Sequence, residues 1–135
     1  MRHSLGETMI AGEIARHYRG VLQDERIELN VREDKTVDPG NLFIAGWCDG
    51  EDLDFPIEIS FVVNNERDEL FFDDLGLAAL HREFCYTLNH ELVHLEQFID
   101  NFEYNEEEAY ERETSFDLLN DRIVLSPYPY NINRS

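Results

Sequence analysis

A chain of 135 residues is long enough for one domain with a core, burying about 65–70% of the surface its unfolded form exposes. An apolar content of 42%, with nine Phe and six Tyr, separates it from disordered chains. Asp and Glu number 30 against 11 Lys and Arg, and the resulting net charge of −19 opposes binding to phosphate backbones and to anionic membranes.

Met9, Ile10, Ile14, Tyr18, Val21 and Leu22 recur at three- and four-residue steps and predict an amphipathic helix over 7–22. Ile27, Leu29 and Val31 then alternate with polar residues, which predicts a strand, and the following VDPGN carries a Pro-Gly turn. The stretches NLFIAGWCDG and FPIEISFVVNN have the aromatic and β-branched content of strands. With the first strand they predict a small antiparallel β-meander, Pro56 being tolerable near a strand start. The period changes again where Leu77, Leu80, Phe84, Leu88, Leu92, Leu95 and Ile99 fall at helical spacing, with Asp73 or Asp74 available as N-cap. Residues 102–123 predict one more helix, with Asn105 as N-cap and Ala109, Arg112, Phe116, Leu119 and Ile123 on one face. The terminal LSPYPYNINRS is expected to run extended. The fold class is therefore α+β within a single domain over 1–135: a helix, a β-meander, a long helix, and a helix rich in glutamate.

The remaining readings of the charge are solubility, attraction of cationic partners, and mimicry of nucleic acid by an acidic surface. No apolar leader core and no run of 18 apolar residues occurs, so a cytoplasmic protein without a membrane segment is expected. Cys48 sits in a predicted strand and Cys85 in a predicted helix, and two buried free thiols are the expectation.

Within the long helix lies NHELVHLEQ, residues 89–97. Positions four apart on a helix share a face, so His90 and His94 can direct imidazole nitrogens at one metal ion. Glu91, rotated about 100° from His90, can reach a water on that ion without being a ligand. This is the H-E-x-x-H arrangement of zinc hydrolases: zinc makes the water acidic, and the carboxylate takes its proton as a carbonyl is attacked. A third ligand is required. Asp100 would hold that place in a longer pattern with glycine at position 97, but Gln97 stands there and LEQFID continues the helix. The other source is the glutamate run after Asn105, where Glu106 and Glu108 are the main candidates and Glu107, Glu111 and Glu113 remain. Glu108 also suits the third position of a capping box begun by Asn105. The other histidines, His3, His17 and His81, read as surface or helix-face residues.

H-E-x-x-H followed by N-E-x-x-A, carried by Asn105, Glu106 and Ala109, resembles the gluzincin, or thermolysin-like, group of zinc metallopeptidases. The longer pattern H-E-L-V-H-x-x-Q with a following E-x-E-A-Y is similar to small, mostly uncharacterised metallopeptidases of bacteria and phages. The resemblance spans 89–113, and two departures accompany it: a short gap between His94 and Glu106, and Tyr110 in a position often held by aspartate. It implies a minimal zincin-like fold, zinc held by His90, His94 and Glu106, Glu91 as general base, and a peptide or protein substrate. It further implies an oxyanion donor, for which Tyr110, Tyr104 and Tyr86 are candidates, and an edge strand that pairs with the peptide, assigned to FPIEISF. The alternative function is an acidic DNA mimic, inhibitor or binding protein whose zinc site is not catalytic. Substrate specificity and oligomeric state are not readable from the sequence.

Overall fold

The computed structural model describes residues 7–22, 26–49, 56–64, 66, 69–72, 74–100, 103–115 and 118. The expected positions His3, Asp73, Phe116, Leu119 and Ile123 and the terminal segment lie outside these. The fold is α+β, with strand β1 (Glu7–Ile10), helix α1 (Ala11–Leu22), strands β2 (Ile27–Glu33), β3 (Leu42–Cys48), β4 (Ile57–Val63) and β5 (Glu69–Phe72), then helices α2 (Asp74–Ile99) and α3 (Glu106–Arg112).

The first helix begins four residues later than its periodicity suggests. Residues 7–10 form β1, antiparallel to β5, with Met9 facing Leu70 in register and both buried. A four-residue strand has too little pattern to announce itself, and its partner lies some sixty residues away. The helix start is marked locally instead: Glu13 Oε1 accepts the Ile10 N–H at 3.1 Å, the half of a capping box that reaches back to the N-cap.

The three central strands are present, but their order is β2-β4-β3: β4 lies between the other two, parallel to β2 and antiparallel to β3. The sheet is thus mixed, where a simple sequential meander was expected. The reason is the eight-residue connection 34–41, long enough to step over a strand, which arches across the end of β4. Asp34 N–H donates to Val63 O at 2.8 Å, and Asn64 Nδ2 donates to Val37 O at 2.9 Å. The expected Pro-Gly turn closes this arch, with Asn41 N–H donating to Asp38 O at 3.0 Å and Gly40 at φ +88°, a backbone region open to glycine.

Both long helices pack on one face of the sheet. Tyr18 of α1 and Phe84 of α2 stack at 4.0 Å and both stack on Phe61 of β4, while Tyr18 Oη and His81 Nδ1 lie 2.9 Å apart within the core. His81 is therefore a core histidine. On α2, Leu77, Leu80, Phe84, Leu88, Leu92 and Leu95 are buried as their spacing predicts, whereas Ile99 is exposed at the helix end. Its 26 residues give α2 a length of about 39 Å, running beneath β3 along its course. No helix among the described residues is long and apolar enough to cross a membrane.

Candidate metal centre

The helix α2 is regular through the motif and past Gln97, so His90 and His94 project from one side, with ring centroids 5.0 Å apart. Facing them is the first residue of α3. Asn105 caps that helix, its side chain accepting the Glu108 N–H at 3.0 Å, but the box stays half-made: the Asn105 N–H goes to Gln97 Oε1 rather than to the Glu108 carboxylate. Glu106 Oε1 then lies 2.8 Å from His90 Nε2 and 2.7 Å from His94 Nε2. Among the described residues, His90, His94 and Glu106 form the one group whose donor atoms converge as metal ligands would, all within 4.8 Å of one another.

The rival ligands are engaged elsewhere. Glu108 accepts from Gln97 Nε2 at 2.8 Å and from Arg112 at 3.3 Å, and Glu113 Oε1 lies 2.9 Å from His90 Nδ1, behind the ring. Asp100 is exposed just past the end of α2, and Glu107 and Glu111 are exposed and outside the converging group.

The ring nitrogens turned away from the cluster decide its chemistry. Gln97 Oε1 accepts the Asn105 N–H at 3.1 Å, and its Nε2 donates to Asn105 O and to Glu108, which fixes the orientation of the amide. The same Oε1 lies 3.0 Å from His94 Nδ1, so that nitrogen must carry the proton. His90 Nδ1 faces the Glu113 carboxylate, also an acceptor. With both protons on Nδ1, two Nε2 lone pairs and a carboxylate oxygen point into one small space. Three electron-rich atoms remain together only around a cation, either a metal ion or a proton on each ring. The donor set, two imidazoles and one carboxylate with oxygen acceptors behind both rings, fits zinc in a catalytic type of site.

The electrostatics agree with this arrangement. Burial lowers the His90 pKa, but hydrogen bonds to Glu113 and Glu106 outweigh it and leave the ring above its usual value. Glu106 loses some solvation, yet its bonds to His94 and His90 hold it below the usual carboxylate range. Glu91 is different: it is 8% exposed, and burial, opposed by His90 and His94 and assisted by Glu106, raises its pKa. It is a carboxylate that holds a proton more readily than a surface glutamate.

Glu91, His90, His94 and Glu106 open into a cleft of about 750 Å³ whose other wall is the end of β3, Gly46, Trp47 and Cys48, and the following Asp49. Sequence reading assigned the edge strand to FPIEISF, and the structure overturns this. β4 is paired on both sides, while among the described strands β3 is the outer one, beside His90, Glu91 and His94. Gly46 also escaped it. A Cβ at position 46 would lie 2.8 Å from Glu91 Cγ, Glu91 Oε2 and Thr87 Cγ2, so only glycine lets β3 approach α2 this closely. A lone glycine inside an apolar strand is the available signal for such an approach. Gln97 carried a signal as well, being one turn beyond His94 on the same helical face.

Of the tyrosines, Tyr104 stacks on His94 at 4.4 Å and lines the cleft, and Tyr110 meets His90 edge-on at 4.8 Å from outside it. Tyr86 lines neither the cleft nor the ligand cluster. Desolvation, then the Glu106 and Glu91 carboxylates and a hydrogen bond to Glu106, raise the Tyr104 hydroxyl above its usual pKa. Comparison with family models, curated proteins and solved structures returns no match to this chain.

Proposed function

We propose that the protein is a zinc-dependent metallopeptidase, with zinc held by His90, His94 and Glu106 and with Glu91 as general base. The observation that carries this reading is the convergence of His90 Nε2, His94 Nε2 and Glu106 Oε1 beside a buried carboxylate in an open cleft. A purely structural zinc site has no use for Glu91 or for a cleft; a hydrolytic one requires both.

When bound, the ion supplies Lewis acidity, making water acidic and polarising a carbonyl. The chain's own residues do the rest. Glu113 and Gln97 keep the Nδ1 protons of the two rings and so hold Nε2 toward the ligand cluster. Glu91 accepts the proton of the attacking water and returns it to the departing amine, its carboxylate held at the wall of the cleft beside the two histidines. Tyr104, stacked on His94 at the rim, is the donor best placed to stabilise a developing oxyanion. A peptide rather than another amide is favoured by the outer strand β3, whose far edge pairs with no strand among the described residues, borders the cleft and suits an extended backbone. The resemblance of H-E-x-x-H with N-E-x-x-A to gluzincins points the same way.

The test combines zinc content with hydrolysis of a mixed peptide library read by mass spectrometry, on the native protein and on Glu91→Gln. Stoichiometric zinc in both, with cleavage falling by about 100-fold or more in the variant, is the expected result. Absence of zinc from the native protein would overturn the proposal.

A further inference from the structure

Along β3 the metal cleft is bounded by Gly46, where Thr87 and Glu91 of α2 close against the strand. A second cleft, of about 590 Å³, lies between the same two elements, with Leu42, Phe43 and Ile44 of β3 on one wall and Ala79, Leu80 and Glu83 of α2 on the other. The two hollows lie end to end along one β3/α2 seam, Ile44 bordering one and Gly46 the next. From Phe43 to Trp47 the strand advances four residues, about 13 Å, which an extended peptide alongside would span with four of its own. The second cleft is lined mainly by apolar side chains, with Asn41 and Glu83 the polar exceptions, and Phe43 and Phe71 at its rim are 59% and 68% exposed.

The charge of the seam is one-sided. Outside the metal-binding group the clefts are lined by the acidic Glu83 and Asp49, and among the described residues by no Lys or Arg. In a chain with 30 acidic and 11 basic residues, this field attracts cations and repels acidic peptides.

We infer that the second cleft is an anchoring subsite of the metal centre, and that the substrate is a basic, extended polypeptide with an apolar side chain about four residues from the bond that is cut. This rests on the metallopeptidase reading for the position of the cut; the anchoring and the charge preference rest on the seam itself. The apolar side chain leaves water in the cleft bounded by Phe43 and Leu80, the basic residues lie along the acidic rim, and the backbone follows the outer edge of β3. The anchor sets which bond reaches Glu91, so specificity comes from distance along the strand as well as from side chains at the cut.

Binding and cleavage test the two parts separately. Zinc-loaded Glu91→Gln is titrated with fluorescein-labelled peptides of Arg, Ser and Gly carrying a single Leu, with a partner peptide having Ser for Leu, and with one having Glu for Arg. Anisotropy is expected to show binding weakened about tenfold by the loss of Leu and abolished by the exchange of Arg for Glu. Binding of the first peptide is expected to weaken from about 50 to about 500 mM salt. Phe43→Ser, at an exposed position, is expected to erase the preference for Leu. Equal affinity for all three peptides overturns the inference, whatever the enzyme does. With the native protein, moving Leu by two positions should move the cut by two; a cut that ignores Leu while hydrolysis proceeds overturns the subsite and leaves the metallopeptidase reading standing. Preferential binding of the Leu peptide without hydrolysis by the zinc-loaded native protein supports the subsite and counts against that reading.

Discussion

Gln97 Oε1 lies 3.0 Å from His94 Nδ1 and thereby assigns the proton on a ring whose other nitrogen faces Glu106. The same side chain holds Asn105, the cap of the helix that supplies Glu106. Replacing it acts on two ligands at once. Gln97→Leu is expected to weaken zinc binding by about 10–100-fold, measured by competition with a chromogenic chelator, with Glu113→Gln giving a smaller loss. Unchanged affinity in Gln97→Leu would show that the ring needs no such support.

Glu106 and Glu108 are two residues apart and separable by experiment. Glu106→Gln replaces the carboxylate that meets both Nε2 atoms with a neutral amide, and zinc is expected to be lost on dialysis. Glu108→Gln leaves that oxygen in place but weakens contacts to Gln97 and Arg112, so zinc is retained and thermal stability falls by about 1 kcal/mol, read from urea melts. Loss of zinc in Glu108→Gln alone would reverse the ligand assignment.

Gly46→Ala introduces one methyl group against Glu91 Cγ, Glu91 Oε2 and Thr87 Cγ2. The strand must lift or the carboxylate must turn. Overpacking of this kind costs about 1–3 kcal/mol, and a displaced base costs catalysis. Peptide hydrolysis is expected to fall by about 100-fold with zinc content unchanged. Full activity in Gly46→Ala would mean that Glu91 has freedom which its packing does not suggest.

Both cysteines are free, and both thiols are pushed up to about 12, Cys48 by burial and then by Glu91 and Asp49, Cys85 by burial. The folded state holds these protons more tightly than the unfolded chain. Stability from this source is complete below about pH 9 and declines as pH rises toward 12. Urea melts from pH 8 upward are expected to show the decline, with a shallower slope in Cys85→Ala, at the cost of a small cavity. In chelator-treated protein, iodoacetamide should modify Cys48 on the order of a hundredfold or more slowly than a free thiol at pH 8. Cys48, expected to be buried, is in fact half-buried at the cleft wall, so rapid modification would contradict its raised pKa rather than its access.

What the sequence revealed follows the range of each interaction. His90, Glu91 and His94 belong to one stretch of helix, and local periodicity places them together without knowledge of the rest of the fold. The Asn105 cap and the Pro39-Gly40 turn are equally local, and both are found where the sequence puts them. Strand order is another matter. Which strand lies outermost depends on how the 34–41 connection crosses Val63 and Asn64, contacts about thirty residues apart, so the edge passed from β4 to β3 unannounced. The β1–β5 pair was hidden for the same reason. The mutual approach of Gly46 and Glu91 depends on that strand order and was beyond local pattern altogether.

The run of three glutamates after Asn105 poses a problem of selection, since a turn of α3 by one residue, about 100°, would bring Glu107 to the histidines in place of Glu106. A seven-residue helix has little rigidity of its own to resist that turn. It is instead held by two amides of α2, one at each end: Gln97 grips the Asn105 backbone, and Asn89 Nδ2 donates to Arg112 O at 2.9 Å. The flanking residues of NHELVHLEQ are thus the clamps that choose among identical carboxylates. A stretch recognised by its H-E-x-x-H pattern also encodes, in the amides just outside it, which glutamate is brought to face the two histidines.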